Sequence, residues 1–364
     1  MIMATPIPRP GILSIEPYVG GKSSLPGQAK PIKLSSNESA LGPSPRAIAA
    51  YEIAARTMHR YPDGACAALR AALGRRFGLD PARIVCGAGS DELIALLCRA
   101  YAGPGDEVLY SRYGFVMYPI AALGAGATPV AAPESDYRAD VDAMLARANA
   151  RTKLCFLANP NNPTGTFLTP ADLKRLRAGL PATALLVIDA AYAEYVARND
   201  YTSGVDLADA CDNVVMTRTF SKIFALGGLR LGWAYCPPAV ADVLNRIRGP
   251  FNVSSAAQAA GVAALEDLAH TDASRAHNDI WLPWLARELS SLGLDVVPSV
   301  GNFVMVGFPA EGPKTAAAAY AFLATRGIIA RAIANYGLPN HLRITIGLED
   351  EMRAVVGALA EFLK

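Results

Sequence analysis

Short apolar runs rich in β-branched residues alternate with longer stretches of helical periodicity between residues 84 and 219. The runs predicted to form strands are IVCGAG, DEVLYS, ATPVAA, TKLCFLA, ALLVIDA and NVVMTRT. Where strands and helices alternate, each helix crosses over the sheet and the strands pair in parallel. The pattern therefore predicts an α/β fold in which helices sandwich a mostly parallel sheet.

The pattern changes near Pro250. A helical stretch over 254–289 leads into the apolar runs VGNFVMVGF, GIIARAI and HLRITIG, with helices between them. A chain of 364 residues exceeds the length at which one hydrophobic core usually stops growing, so two domains are expected. The predicted units are an N-terminal arm at 1–35, rich in Pro, Gly and Ser, a large domain at 36–249, and a small α+β domain at 250–364 that packs with part of the N-terminal segment.

Composition narrows the classes of partner. Charged residues make up 18% of the chain and the formal net charge is +2, which does not support electrostatic binding of nucleic acid. The expected partners are small molecules and a second copy of the same chain. No window contains an unbroken apolar run of membrane length, and the N-terminus lacks the apolar core of an export signal. A cytoplasmic protein without membrane contact is expected.

Six cysteines are scattered through the chain, and no two of them form a Cys-x-x-Cys pair. Most lie in apolar runs such as KLCFLA. This pattern is typical of reduced thiols in a core rather than of disulfides or a metal site. The cysteines therefore favour a reducing compartment, and no metal site is predicted.

The stretch TFSKIFALGGLRLGW places Ser221 and Lys222 shortly before two glycines and Arg230. A lysine amine can form a Schiff base with an aldehyde cofactor, while the neighbouring serine, arginine and glycines bind the phosphate of that cofactor. Ser-Lys pairs also occur on ordinary solvated loops. The motif gains its weight from the other residues that surround it in the order of the chain.

A second candidate phosphate site is the turn that contains Gly89, Ser90 and Asp91, between the strand IVC and the amphipathic run ELIALLCRAY. Small residues let the backbone approach an anion, and the free amides at a helix start lie at the positive end of the helix dipole. An ordinary strand-to-helix turn with Ser90 or Asp91 as N-cap has the same pattern. The turn is not a Walker loop, because it lacks the Gly-Lys-Ser/Thr ending.

Further candidate groups follow predicted strands, at the edge where open parallel sheets bind ligands. Asn162 lies in the stiff segment NPNNPTG, and Phe115 follows DEVLYS with a ring that can stack on a cofactor. Asp189 ends the strand ALLVID, where a carboxylate can pair with a protonated pyridine nitrogen, and Tyr192 can bind the phenolic oxygen of the same ring. The alternatives are Asx turns for Asn162, an N-cap for Asp189 and a core position for Phe115.

Two arginines stand in otherwise apolar runs, Arg343 in HLRITIG and Arg331 in GIIARAI. Burying a guanidinium is costly unless an anion meets it, and its planar fork suits a carboxylate or a phosphate. Each arginine can instead pair with an internal Asp or Glu.

The motifs PYVGGK, SSNESALGPSP, RYPDG, GSDELI, NPNNPTG, the Asp189 and Tyr192 pair, TFSKIFALGGLRLGW and YGLPNHLRITIG occur in this order. On these motifs the sequence resembles the fold-type I pyridoxal-phosphate aminotransferases, and more closely the histidinol-phosphate aminotransferase family. The resemblance covers nearly the whole chain. It implies the cofactor pyridoxal 5'-phosphate, a homodimer, and transfer of nitrogen from an amino donor to a 2-oxo acid.

The resemblance also implies a role for each site residue. Lys222 would hold the cofactor covalently and move a proton on the substrate. The residues implied to bind the cofactor phosphate are Gly89, Ser90, Asp91, Ser221 and Arg230, joined by Tyr61 of RYPDG from the neighbouring subunit. The residues implied at the ring are Phe115 by stacking, Asn162 and Tyr192 at the phenolic oxygen, and Asp189 at the pyridine nitrogen. The residues implied at the substrate are Arg343, which clamps an anion, and Tyr18, Asn37 and Arg331.

Histidinol phosphate is the favoured substrate, because Tyr18, Arg331 and Arg343 can supply the donors that a distal phosphate needs. Transamination of tyrosine or phenylalanine is the main rival, since exchanging an imidazole for a phenol alters selectivity by only about 1–3 kcal/mol. Other classes are a threonine-phosphate-type decarboxylase, which would release carbon dioxide, and a cofactor sensor fused to a regulator. The sensor class requires a DNA-binding helix-turn-helix ahead of this region, where only a short arm is seen.

Overall fold

The computed structural model describes residues 6–28 and 30–364. Its β-strands are β1 Ile32–Lys33, β2 Ile84–Gly87, β3 Glu107–Ser111, β4 Thr128–Ala132, β5 Glu134–Ser135, β6 Arg138–Ala139, β7 Thr152–Ala158, β8 Leu185–Asp189, β9 Val214–Thr219, β10 Gly232–Tyr235, β11 Asp295–Val297, β12 Phe303–Gly307, β13 Ile328–Ile329, β14 Arg331–Ala332 and β15 His341–Thr345. Its α-helices are α1 Pro45–Ala55, α2 Ala67–Phe77, α3 Ser90–Tyr101, α4 Met117–Ala125, α5 Val141–Arg147, α6 Pro170–Gly179, α7 Val205–Ala210, α8 Pro238–Ile247, α9 Ser255–Glu266, α10 Leu268–Ser291, α11 Ala316–Thr325 and α12 Glu349–Leu363. Short 3₁₀ turns occur at Ile12–Ser14, Pro81–Arg83, Ala193–Tyr195, Gly227–Leu229 and Ala334–Tyr336.

The central sheet has seven strands in the order β2-β10-β9-β8-β7-β3-β4. Strands β9, β8, β7, β3 and β4 pair in parallel, whereas β10 is antiparallel to both of its neighbours. All six runs predicted as strands of this sheet belong to it, so the predicted mostly parallel α/β fold is confirmed.

Strand β10 is the one member of this sheet that the sequence pattern did not predict. Its four residues, GWAY, are all buried. In a short run of apolar residues, polar and apolar positions do not alternate, so the sequence cannot distinguish a buried strand from part of a buried helix. Its antiparallel direction follows from its connection, because the chain returns from β9 through the turn that carries Lys222 rather than through a crossover helix.

Successive side chains of the central strands enter two different cores. In β8, Leu186 and Ile188 pack into one apolar cluster, and Leu185 and Val187 pack into another on the opposite face. A strand covered on both faces has to be apolar at every position, which explains why ALLVID shows no polar alternation. Helices cover both faces of the sheet, as predicted.

A second sheet has four antiparallel strands in the order β11-β12-β15-β14. Apolar residues of α10, α11 and α12 cover it and form a separate core. The N-terminal segment takes part in this unit, because β1 pairs in parallel with β13 and the side chain of Leu34 belongs to the same core. The end of the predicted arm is therefore packed, while residues 1–5 lie outside the described residues.

The helical stretch predicted over 254–289 is two helices, not one. Helix α9 ends at Glu266, and the side chain of Asp267 accepts a hydrogen bond from the backbone of His270 to begin α10. The buried face of α9, which includes Ala257 and Ala260, packs into a core of the large sheet. The domain limits at 36–249 and 250–364 remain a prediction, and this packing places α9 with the first unit.

All six cysteines are free thiols, and all except Cys211 are buried, in agreement with the prediction of core thiols. Within residues 6–28 and 30–364, no helix combines the length and apolar character that crossing a bilayer requires.

Candidate active site

A cleft of about 180 Å³ opens beside the carboxyl ends of β7, β8 and β9. Ala158, Asp189 and Thr219, the last residues of these strands, all line it. The residues predicted for the site also line it, apart from Gly89 and Tyr61. Those that line it are Tyr18, Asn37, Ser90, Asp91, Phe115, Asn162, Asp189, Tyr192, Ser221, Lys222, Arg230, Arg331 and Arg343.

Lys222 follows β9 and lies partly open to the cleft. Its Nζ donates to the carbonyl of Ser36 at 3.3 Å and lies 5.6 Å from the ring centroid of Tyr192. Burial of the amine, together with the smaller effect of the positive charge of Arg343, lowers the pKa of Lys222 to about 8. A neutral amine is therefore available near neutral pH.

Arg230 is closer to Lys222 along the chain, but Arg343 has the larger effect on the pKa of Lys222. The two arginines differ in their exposure to solvent and in whether they form an ion pair. Arg230 is half exposed and its Nη2 is 3.1 Å from the carboxylate of Asp91, so solvent and a counter-ion weaken its field. Arg343 is buried and makes no ion pair within the described residues.

The turn before α3 forms one end of the cleft. Gly89 is the N-cap at φ +86°, and no side chain caps the helix, so the alternative of an ordinary Ser90 or Asp91 cap is not what the structure contains. A Cβ at Gly89 would lie 2.4 Å from Nη2 of Arg230. Arg230 Nη1 donates to Ser221 Oγ at 3.4 Å. The uncapped amides and this guanidinium suit an anion such as phosphate.

Asp189 is buried at the end of β8. The hydroxyl of Tyr118 donates to its Oδ2 at 2.9 Å, and Thr217 Oγ1 donates to its Oδ1 at 3.3 Å. Burial raises the pKa of Asp189 to about 6, while the Tyr118 hydrogen bond opposes this rise. Asp189 does not act as the N-cap that the sequence left open, since the short helical turn that follows begins after Tyr192 without a side-chain cap.

Tyr192 and Asn37 are buried neighbours. Asn37 Nδ2 donates to the hydroxyl oxygen of Tyr192 at 2.8 Å. Burial raises the pKa of Tyr192 to about 12, so its phenol is protonated at neutral pH. Phe115 lies half-buried at the cleft, edge-on to Tyr118 with 6.0 Å between ring centroids.

Arg343 lies on β15 and reaches the large sheet. Its Nη1 donates to Oδ1 of Asn162, its Nη2 donates to the carbonyl of Ser35 at 2.8 Å, and its Nε has no partner. Arg331 donates through Nη2 to the carbonyl of Val19 at 2.7 Å. Neither arginine pairs with a carboxylate among the described residues, which removes the alternative of internal ion pairs and leaves both charges available to a ligand.

Tyr61 lies away from the cleft of its own chain. Its side chain is 83% exposed, and its ring stacks on Phe251 with 4.7 Å between centroids. Tyr61 does not line the cleft of its own chain, and its role across a subunit interface stays a prediction.

Sequence reasoning missed several residues of the site. Tyr118 and Thr217 bind Asp189, and Tyr336, Ser36 and Thr219 line the cleft. Tyr118 lies in the apolar run MYPIAALGA, where a tyrosine cannot be told from a core aromatic. Only the three-residue spacing between Phe115, just before α4, and Tyr118 in its first turn hints that both rings face the same side.

The fold and this cleft define a class. The sequence profile of the aminotransferase class I and II family matches residues 29–359, and the chain belongs to this family. Among curated relatives it is 62% identical to the histidinol-phosphate aminotransferase of Paramagnetospirillum magneticum over 99% of both chains, and 60% identical to that of Rhodospirillum centenum over 100% of both. The crystal structure of histidinol-phosphate aminotransferase from Sinorhizobium meliloti in complex with pyridoxal-5'-phosphate is 29% identical, with a TM-score of 0.89 over 100% of this chain and 99% of that one.

Proposed function

We propose that this aminotransferase moves the amino group of L-histidinol phosphate to 2-oxoglutarate, with pyridoxal 5'-phosphate as cofactor, in the biosynthesis of histidine. The observation that carries the proposal is the amine of Lys222, with its pKa lowered to about 8, in the same cleft as an uncapped helix start and the buried carboxylate of Asp189. The names of the two relatives at 62% and 60% identity support the substrate.

The side chains present fit this cofactor. The uncapped turn at Gly89 and the guanidinium of Arg230 suit its phosphate, and the carboxylate of Asp91 is already paired with Arg230, so Asp91 would contact a phosphate through its backbone amide. Asp189 lies where a carboxylate can hold a protonated ring nitrogen, and two donated hydrogen bonds help to keep it ionised. Phe115 offers an aromatic face to the ring.

Lys222 supplies the proton chemistry. When bound, pyridoxal phosphate withdraws electrons from the substrate carbon that carries nitrogen. Lys222 Nζ is then the base that takes the proton from this carbon and later gives the proton up again. Its pKa of about 8 lies close to neutral pH, so that the amine can both accept and release a proton efficiently. Asn162 and Tyr192 are proposed at the phenolic oxygen.

Arg343, Arg331 and Tyr18 are proposed to select the substrate. Arg343 offers a buried guanidinium with a free Nε, and Arg331 and Tyr18 lie at the opening. The planar fork of arginine binds phosphate oxygens in pairs, which gives a phosphorylated amine an advantage over an unphosphorylated one. Asn37 lines the remaining wall.

Steady-state kinetics test the substrate. The specificity constants of the purified protein for histidinol phosphate, phenylalanine and tyrosine, each with 2-oxoglutarate, should be highest for histidinol phosphate. A higher value for either aromatic amino acid would contradict the substrate and leave the aminotransferase assignment in place. Release of carbon dioxide in stoichiometric amounts would identify a decarboxylase instead.

Replacement of the lysine tests the chemistry. Lys222→Ala should still bind pyridoxal phosphate without a covalent bond, but turnover should fall at least about a hundredfold, since the base is lost. Borohydride should trap the cofactor on the native chain and not on the variant. Turnover within a factor of two of the native rate would remove Lys222 from the mechanism.

We further propose that the protein is a homodimer in which Tyr61 contacts the cofactor phosphate of the partner subunit. Large apolar side chains are exposed on and after α1. They are Ile48, Tyr51, Ile53, Met58 and Tyr61, with Phe251 beside Tyr61. We call this set the α1 apolar surface. Exposed apolar groups of this extent usually mark a protein interface. The free thiols favour the reducing environment of the cytoplasm.

A further inference from the structure

Thr345, Asn37 and Tyr192 form a buried chain of hydrogen bonds that links β15 to the cleft. Thr345 Oγ1 donates to Asn37 Oδ1 at 3.2 Å, and Asn37 Nδ2 donates to the hydroxyl oxygen of Tyr192 at 2.8 Å. The three residues are only 1–3% exposed. Since bulk water does not reach them, each hydrogen in the chain has to find its acceptor among neighbouring groups.

The chain has a direction, and Thr345 sets it. The backbone amide of Asn37 donates to Thr345 Oγ1 at 2.9 Å, which leaves the hydroxyl hydrogen of Thr345 free to donate. Asn37 Oδ1 is the acceptor that it meets. If the amide of Asn37 were turned over, this hydrogen would face an NH₂ group and remain buried without an acceptor, which is costly. Thr345 therefore keeps the NH₂ group of Asn37 directed at Tyr192.

The backbone of Asn37 is held in the same arrangement. Its φ of +54° lies in the left-handed region, which asparagine tolerates better than most residues. Asn302 Nδ2 donates to the carbonyl of Asn37 at 3.1 Å and is itself buried. The backbone of Asn37 is thus held at its N–H group by Thr345 and at its carbonyl by Asn302.

Tyr192 completes the argument. Its oxygen accepts from Asn37, and its own hydrogen has no acceptor among residues 6–28 and 30–364. The side chain lines the cleft. A buried phenol with an unused hydrogen beside a ligand cleft is a donor that awaits an oxygen of the ligand.

We propose that Thr345 is a positioning residue for transamination, because it fixes the amide of Asn37 and thereby makes Tyr192 a hydrogen-bond donor to the phenolic oxygen of the cofactor. The inference rests on the proposed function and adds Thr345, which contacts neither cofactor nor substrate in this scheme. Its effect passes through Asn37.

Binding of pyridoxal phosphate tests the inference. Thr345→Val keeps the shape and removes the hydroxyl, so the dissociation constant of the cofactor should rise about three- to tenfold, the effect of one hydrogen bond. The pH midpoint of the visible absorbance of the bound cofactor should rise too, because a phenolic oxygen without its donor holds the proton on the Lys222 nitrogen more tightly. Thr345→Ser retains the hydroxyl and should restore both values to within about twofold.

A double-mutant cycle separates positioning from general damage. Asn37→Gly removes the amide side chain while glycine accepts the left-handed backbone without strain. It should weaken cofactor binding as much as Thr345→Val, and adding Thr345→Val to it should change the affinity no further. If the two effects simply add, or if Thr345→Val binds the cofactor like the native protein, the inference is wrong. Should Thr345→Val not fold, native affinity in Asn37→Gly would overturn it equally.

Cofactor binding by the native protein shows whether a failed test counts against the role of Thr345 or against the proposed function. A native chain that binds no pyridoxal phosphate would remove the proposed function itself. A native chain that binds it normally, together with an unchanged Thr345→Val variant, would remove only the role of Thr345.

Discussion

Arg343 is a buried cation that acts on Lys222 without touching it. Its guanidinium is held by a side-chain oxygen of Asn162 and a backbone oxygen of Ser35, neither of which carries a full negative charge. The field of this arginine is therefore not cancelled by a carboxylate, and it adds to burial in lowering the pKa of Lys222. The arginine that is proposed to bind a substrate anion thus also lowers the pKa of Lys222.

The rate at which the cofactor-free protein captures pyridoxal phosphate should depend on pH with a midpoint near 8. Only the neutral amine attacks an aldehyde, so the rate should rise about tenfold per pH unit below the pKa and level off above it. Stopped-flow absorbance measures this directly. A midpoint above 10 would mean that the amine of Lys222 behaves as an ordinary exposed lysine.

Two variants compare the effects of Arg343 and Arg230 on the pKa of Lys222. Arg343→Met removes a positive charge beside the amine, so the proton is held more firmly and the midpoint should move to higher pH. Arg230→Met should move the midpoint less, because this arginine is half exposed and paired with Asp91, although it should slow capture at every pH. Equal shifts in the two variants would contradict the order of their effects.

Strand β10 supports the start of α3. Gly232 begins the strand, and a Cβ at this position would lie 2.4 Å from the backbone nitrogen of Ser90. The strand and the helix start are therefore in direct backbone contact. An antiparallel strand inserted between β2 and β9 holds in place the turn that is proposed to bind phosphate.

Gly232→Ala should weaken cofactor binding about tenfold. The added methyl group has to displace the first turn of α3, and overpacking of this kind costs about 1–3 kcal/mol. Gly103→Ala is the matched control, since a Cβ there meets no atom within 4 Å and Gly103 does not line the cleft. Equilibrium dialysis against pyridoxal phosphate and the midpoint of thermal unfolding give the two comparisons. Equal affinities for both variants would show that the contact at Gly232 does not matter.

A dimer through the α1 apolar surface, as proposed, would give a role to Tyr61, which does not line the cleft of its own chain. Tyr61 lies on this surface and outside the cleft of its own chain. A symmetric dimer through this surface would bury the same patch of both copies. Light scattering should therefore give twice the mass of the chain, and Ile53→Lys should reduce it to the mass of one.

Mixing two inactive variants tests the role across the interface. In a heterodimer of Tyr61→Ala and Lys222→Ala, one cleft has an intact lysine from its own chain and an intact tyrosine from its partner. Random reassociation should therefore restore about a quarter of the native activity. If Tyr61 acts within its own chain, every cleft keeps a defect and mixing restores nothing.

Much of the fold could be read along the chain. Strands such as ALLVID are apolar at every position because both faces are covered, and the alternation with helices leads to parallel pairing. Strand β10 and the boundary between α9 and α10 at Asp267 could not be predicted from the sequence. The first is too short and uniformly apolar for any period, and the second is a single cap within continuous helical periodicity.

The sequence alone shows which reactive side chains the protein has and which predicted strands they follow. This is possible because the periodicity and the turn residues that define strands and helices depend only on near neighbours in the chain. The sequence yielded Lys222, Asp189 and the glycine turn at Gly89 in this way. Which groups touch is decided only when distant segments pack, as when Thr345 meets Asn37 from 308 positions away. That pairing, the stronger influence of Arg343 over Arg230 and the use of Tyr118 all depend on burial, and burial is a property of the folded chain.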